Sequence, residues 1–148
     1  MENLSSKEFK NNKNKFIFIN LSGESLIGLW TKGKKNRVLE SRKYGVNKSI
    51  ELIKKLLKRK AKVTVHDPRA IKNTRDIFGE KIIYAKSMND ALLKSQCAII
   101  MTEWTQYEKL NNNNFKHMTK KVVIDSRRML IGKQLDVNYF GIGLGKEK

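Results

Sequence analysis

The chain has 148 residues, of which 39% are hydrophobic and 31% charged, with a net charge of +18 at pH 7. That length is one domain's worth and that balance can bury a core, which excludes a wholly disordered chain. A single Cys excludes a disulfide framework and a Cys-based zinc site, and no apolar run approaches the ~20 residues of a membrane span. The opening Met1-Glu-Asn-Leu-Ser-Ser-Lys7 has no apolar stretch of the signal-peptide kind, so a soluble, cytoplasmic protein is expected.

The charge is uneven. Residues 1–62 carry 17 basic and 5 acidic side chains, concentrated at Lys7 to Lys15, Lys32 to Arg37 and Lys54 to Lys62. Such surfaces attract polyanions by counterion release, so nonspecific polyanion binding is expected at low salt. Two features weigh against a dedicated reader of bases. Lys outnumbers Arg by 25 to 7, and no aromatic ladder is interleaved with the basic runs.

In chain order, residues 1–15 are polar and without periodicity and read as a flexible basic tail; the folded domain is expected over 16–148. Phe16 to Leu21 and Ser25 to Trp30 are β-like runs, with a turn signal at Ser22-Gly23-Glu24. Lys32 to Lys43, broken by Gly33, reads as a loop. Asn47 is placed to cap a helix whose apolar stripe is Val46, Ile50, Ile53 and Leu57, flanked by Leu52 and Leu56, with Glu51 and Lys55 as an i, i+4 pair. Ala61 to His66 alternates like a strand and ends at Asp67-Pro68. Arg69 to Phe78 follows as a helix, closed by Gly79.

Lys81 to Ala85 reads as a strand. Ser87 to Asp90 resembles a capping box leading into a helix over Ala91 to Ser95. Cys97 to Thr102 is a continuous apolar run of the kind buried on both faces of a sheet. Residues 105–119 hold one or two poor helices around Asn111 to Asn114. Val122 to Asp125 is another buried strand, and Val137 to Ile142 a last one at the sheet edge. Strands alternating with short helices predict an α/β sandwich with a mostly parallel sheet.

In such sheets ligands lie beyond the carboxyl ends of the strands. Three tips end in polar residues: Asp67, Thr102-Glu103 and Asp125-Ser126-Arg127. On the residues alone, two readings stand: a ligand site, or helix caps and turn formers. His66 and His117 have no carboxylate or Cys at ligand spacing, so no metal site is expected. Trp104 is expected to pack under the following loop or to flank a ligand ring, and Glu103 to cap a helix or bond a sugar hydroxyl.

Four motifs, Val63-Thr-Val-His-Asp-Pro68, Met101-Thr-Glu-Trp104, Val122-Val-Ile-Asp-Ser-Arg127 and Tyr139-Phe-Gly-Ile-Gly143, occur in the order and spacing of one family. Together they resemble the C-terminal, UDP-binding domain of the UDP-glucose/GDP-mannose dehydrogenases, over about residues 27–145. The resemblance implies a Rossmann-like three-layer α/β/α fold with a sheet of about five or six strands. It implies that complete enzymes oxidise the C6 alcohol of a nucleotide sugar to a carboxylate with two NAD⁺. Such enzymes are built from an NAD-binding domain, a central helical region and this domain, and their catalytic Cys and Lys belong to the first two.

Nothing in this chain matches those catalytic groups. Cys97 sits inside an apolar strand and reads as a structural thiol. Gly141-Ile-Gly-Leu-Gly145 imitates a dinucleotide fingerprint without a helix to follow it. The expectation is therefore that no cofactor binds this chain alone and that NAD belongs to the complete enzyme.

Carried over residue by residue, the resemblance places Arg127 on the family's substrate-contacting Arg. It also aligns Ile27 to Lys32, with Glu40-Ser41, on a motif whose Lys contacts substrate, which places Lys32 there. Glu103, Trp104 and Asp125 fall at the periphery of that site. The departures are Asn36-Arg37 for an acidic pair, Leu39 for an Arg that contacts cofactor, and Arg42 for a Pro. In a competing alignment Phe16 to Leu21 is the first strand and Lys32 lies in an enlarged loop. Three functions follow: a UDP-sugar-binding module that complements a separate dehydrogenase half or remains from a truncated gene; a basic nucleic-acid-associated protein; or an interaction domain whose ligand site has decayed.

Overall fold

The computed structural model describes residues 15–19, 32–69 and 71–143, with side chains from Tyr44 onward. Its strands follow the apolar runs: β1 (Lys15–Ile19), β2 (Lys62–His66), β3 (Ile83–Tyr84), β4 (Cys97–Ile100), β5 (Val122–Asp125) and β6 (Asn138–Gly141). All pair in parallel, in the order β3-β2-β1-β4-β5-β6. The chain starts in the middle, winds to one edge, then crosses back and winds to the other. The order therefore reverses between β1 and β4, and a doubly wound sheet opens its ligand crevice at that switch point.

The helices are α1 (Lys32–Lys58), α2 (Ile71–Phe78), α3 (Met88–Leu92), α4 (Thr105–Glu108) and α5 (Asn112–Phe115). They cover both faces, as parallel strands require. On one face Ile53 of α1 and Phe78 of α2 pack on Val63, Val65, Cys97 and Ile99. On the other, Leu92 of α3, Tyr107 of α4 and Phe115 of α5 pack on Ala98, Ile100 and Val123. Adjacent residues of β4 thus feed opposite cores, which is why Cys97–Ile100 is buried throughout and reads as an unbroken apolar run. The result is the expected three-layer α/β/α sandwich.

Several expected boundaries move. α1 begins at Lys32, so the loop expected over Lys32 to Lys43 is helix, and Asn47 lies inside it rather than capping it. Lys, Arg, Leu and Glu, which dominate 32–43, are good helix formers, and their propensity outweighs Gly33 at the first turn. The central strand is Lys15–Ile19, within the run that the competing alignment makes the first strand, and Lys32 opens a helix. Phe16-Ile-Phe-Ile is apolar on both faces, as a central strand must be. The tail over 1–14, the turn at 22–24 and the run at 25–30 lie outside the described residues.

α2 starts at Ile71 because the Asp67 carboxylate accepts from the Arg69 amide at 2.8 Å, which holds 67–69 as a turn. The strand expected over 81–85 shrinks to the two residues of β3 behind a 3₁₀ turn, Gly79–Lys81. The expected 91–95 helix is α3, capped by Ser87, whose hydroxyl accepts from the Asp90 amide at 3.1 Å. The Asn tract contributes the start of α5, where Asn111 and Asn114 form a reciprocal capping box.

α1 ends in a Schellman turn: the Ala61 amide donates to the Leu56 carbonyl at 3.1 Å and the Lys60 amide to the Leu57 carbonyl at 2.8 Å. Lys60 takes the left-handed position, φ 60°, where glycine is usual. Lys94 (φ 56°) and Lys121 (φ 49°) adopt the same conformation in the turns that enter β4 and β5.

Candidate functional site at the carboxyl edge

The tips of β2, β4 and β5 supply the polar residues of this edge. After β5 the chain turns around Asp125, which is fully buried. Its Oδ1 accepts from the Arg127 amide at 3.0 Å, and its Oδ2 from the Leu130 amide at 2.9 Å and the Tyr139 hydroxyl at 3.1 Å. One carboxylate thus fixes the start and end of the 125–130 turn and ties it to β6. Burial first, then the negative Asp125 beside it, pushes the Tyr139 hydroxyl up to about 12. Ser126 adds a second anchor, its amide and hydroxyl both donating to the Ile100 carbonyl at 2.9 Å.

This frame presents Arg127. Its guanidinium forms an ion pair with Glu103, from the tip of the neighbouring β4. The side chains are 39% and 53% exposed, so the pair bridges two strand tips in contact with water. Glu103 is therefore a partner of Arg127 and not a helix cap; the N-cap of α4 is Trp104, which makes no side-chain cap. Asp125, the third residue expected here, acts as organiser of the turn.

At the β2 tip, His66 is buried against the fully buried Tyr107 of α4. The Tyr107 hydroxyl donates to the His66 carbonyl at 3.1 Å, and its oxygen lies 3.0 Å from His66 Nδ1. Tyr107 has one hydroxyl proton; once it goes to the carbonyl, Nδ1 must carry the proton of the second bond. Burial lowers the pKa of His66 and raises that of Tyr107, so both are neutral at pH 7. The pairing spans 41 positions in sequence and has no local signal.

Between these tips Thr102 is buried and Trp104 half-buried, with the Arg69 guanidinium 5.5 Å from the Trp104 ring centroid. Thr102 Oγ1 and Trp104 Nε1 are buried without a hydrogen-bond partner. Trp104 packs, partly buried, against the core cluster that includes Tyr107 and Leu110.

The structure brings Arg127, Glu103, Asp125 and Trp104 to one edge. Lys32 opens α1 on the same side of the sheet, since α1 ends by feeding β2 at its amino end; its side chain lies outside the described residues. The helix is 27 residues long, about 40 Å, against roughly 17 Å for a five-residue strand, so its first turns project past this edge. Cys97 is buried and burial pushes its thiol up to about 12, which suits a packed core thiol and not a nucleophile. Gly141 closes β6, the strand at the outer edge of the sheet, away from the β1–β4 switch point, and 142–143 form a turn. The described part of the glycine run thus lies away from the crevice where a doubly wound sheet holds a dinucleotide, and Gly145 lies outside the described residues. An open groove of about 460 Å³ lies elsewhere, between β3 and α3, lined by Thr64, Ile83, Tyr84, Asp90 and Leu93 among others.

Comparison with known proteins bears on this edge and on the fold. Residues 46–132, more than half of the chain, match the UDP binding domain of the UDP-glucose/GDP-mannose dehydrogenase family. A UDP-glucose 6-dehydrogenase of Haloferax volcanii is 35% identical over 88 residues, covering 60% of this chain and 20% of that protein. One of Rickettsia bellii is 28% identical over 100 residues, covering 64% and 23%. The chain thus spans about a fifth to a quarter of the length of these relatives.

Among solved structures, a UDP-glucose dehydrogenase of Pyrobaculum islandicum superposes with a TM-score of 0.65 at 23% identity, over 96% of this chain and 28% of that one. The UDP-N-acetyl-mannosamine dehydrogenase Cap5O of Staphylococcus aureus superposes at 0.58 and 14% identity, over 92% and 28%. These two likenesses establish the fold. With the motifs at the β2, β4 and β5 tips inside the matched stretch, the chain belongs to the UDP-glucose/GDP-mannose dehydrogenase family and carries its UDP-binding domain.

Proposed function

We propose that this domain grips a UDP-sugar at the carboxyl edge of its sheet, as the substrate-binding lobe of a nucleotide-sugar 6-dehydrogenase whose NAD and oxidation chemistry reside in other domains. One observation supports this above all: Arg127 stands on a turn fixed by a buried carboxylate and already holds an anionic group, Glu103, in contact with water. A guanidinium so placed offers forked donors to phosphate or sugar oxygens. Lys32, on the same side of the sheet, is the second contact in this reading. The NAD-binding domain and the catalytic Cys would come from a dehydrogenase half, attached or separate.

The test is isothermal titration with UDP and UDP-glucuronate. The expected result is binding by the wild-type domain that weakens ~10-fold or more in Arg127→Ala, the size of a lost charge-assisted hydrogen bond. No heat from the folded protein with either ligand at several millimolar would overturn the reading. Restored turnover on mixing with a dehydrogenase half would support the split arrangement.

A further inference from the structure

The opposite edge of the sheet carries a different chemistry. Three of the connections that return from a helix to the amino end of a strand carry lysine within three residues of that strand. Lys60 precedes β2, Lys94 precedes β4, and Lys120 and Lys121 precede β5. Within the sheet, Lys62 opens β2 in register with Lys15, which opens β1. Lys60, Lys62, Lys94 and Lys120 are exposed and, among the described residues, no ion pair engages them; Lys121 pairs with Asp136. Three of these residues, Lys60, Lys94 and Lys121, occupy left-handed positions where glycine or asparagine is the usual choice. Local backbone preference therefore does not account for lysine there, and a strained position points towards a use for the side chain.

We propose that the amino edge of the sheet binds the phosphate backbone of a nucleic-acid duplex, without reading its sequence. β2, β1, β4 and β5 are adjacent, so their starts span about 14 Å at the usual strand spacing. That width matches the ~12 Å major groove between its two phosphate rims. Lysines are point charges that suit phosphates and lack the fork that reads guanine. Among the described residues these turns expose no Phe, Tyr or Trp to stack on bases, and Leu93 is their exposed large apolar side chain. The surface lies at the other end of the strands from Arg127, so it is independent of UDP-sugar binding.

Fluorescence anisotropy with a labelled mixed-sequence DNA duplex of about two turns tests this, at several salt concentrations. The triple variant K60N/K94N/K120N should bind at least ~10-fold more weakly at low salt, with the log-log salt slope reduced by about 2–3, near 0.9 per lost phosphate contact. It should also unfold at a temperature no lower than wild type, because Asn accepts the left-handed positions at 60 and 94. K72Q/K86Q/K109Q, which removes three exposed lysines elsewhere, should leave affinity within about threefold. Saturating UDP at constant ionic strength should not displace the duplex. Equal weakening by both triple variants would reduce the binding to net charge and overturn the proposal. So would displacement by UDP, or edge-dependent binding to phosphatidylserine vesicles with none to DNA.

Discussion

The two ends of the sheet solve opposite problems with the same secondary structure. At the carboxyl end most polar side chains are committed to one another, although Thr102 and Trp104 are not: Asp125 holds three donors, Glu103 holds Arg127, and Tyr107 holds His66. At the amino end, among the described residues, Lys60, Lys62, Lys94 and Lys120 make no ion pair, and Lys60, Lys94 and Lys121 sit at left-handed positions, as Arg128 does at the carboxyl end. A parallel sheet produces this asymmetry readily. Helix N-termini and strand carboxyl ends meet at one edge, where turn-forming carboxylates and hydroxyls are useful as caps. The other edge needs only a tight return. Removing side chains from the first edge should therefore cost stability, and removing them from the second should cost little or even help.

The largest effect should come from Asp125→Ala. It leaves the Arg127 and Leu130 amides and the Tyr139 hydroxyl without their acceptor and should lower stability by about 3 kcal/mol, at ~1–3 kcal/mol per buried unsatisfied group with partial rescue by water. Urea denaturation reads this directly. A loss below about 1 kcal/mol would mean that the turn is held by its other contacts and that the first half of the comparison is wrong.

Next is the His66–Tyr107 pair. Tyr107→Phe should cost about 1–2 kcal/mol, because it strips the partner from a buried carbonyl and a buried imidazole N–H. The pair also predicts a pH dependence with a definite sign. His66 is buried neutral, with its pKa lowered from 6.5 mainly by desolvation. The unfolded state therefore binds the proton first as pH falls. Stability is fully present above about pH 6.5 and declines as pH drops below it towards the folded pKa. Urea midpoints at pH 7 and pH 5.5 should show that loss in the wild type and a smaller one in His66→Gln.

How much of this was legible in the sequence follows from the reach of each interaction. Strands buried on both faces announce themselves as unbroken apolar runs, so β4 and β5 could be placed within a residue or two and the α/β sandwich with them. Asp67, Thr102, Glu103 and Asp125 were legible as strand tips, because a polar residue ending an apolar run is a local pattern. Their roles were not. Asp125 as a three-donor hub and Glu103 as the partner of Arg127 depend on which tips stand side by side, and strand order is not written locally. Tyr107 escaped notice because its partner lies 41 residues away. The first half of α1 escaped because its lysines and glycine mimic a loop when weighed one residue at a time. The left-handed lysines could not be foreseen, since backbone φ is set by how each return fits its strand.

Those lysines give a smaller effect of opposite sign. Lys60→Asn and Lys94→Asn should each stabilise by up to ~1 kcal/mol, the scale of the left-handed penalty for an ordinary side chain. A gain at both sites, measured as a rise in the urea midpoint at unchanged slope, would sharpen the contrast with Asp125. A loss at both would show that the amino edge is held by side-chain contacts after all.

The smallest effect on stability, and the most discriminating on function, belongs to Glu103→Gln. The Glu103–Arg127 pair is half-exposed at both ends, and such pairs contribute about 0–1 kcal/mol, so the variant should unfold within ~0.5 kcal/mol of wild type. Its consequence for ligand is separable from that. While Glu103 occupies the guanidinium, an incoming phosphate or sugar oxygen must share or displace it; without the charge, Arg127 is freed. If Arg127 contacts the ligand, Glu103→Gln should tighten UDP binding by a few-fold while Arg127→Ala abolishes that gain, an interaction a double-mutant cycle resolves. If Glu103 instead positions the guanidinium for the ligand, the same substitution weakens binding. Unchanged affinity in both single variants would place the ligand away from these two tips, leaving the pair as a clasp between β4 and β5 and nothing more.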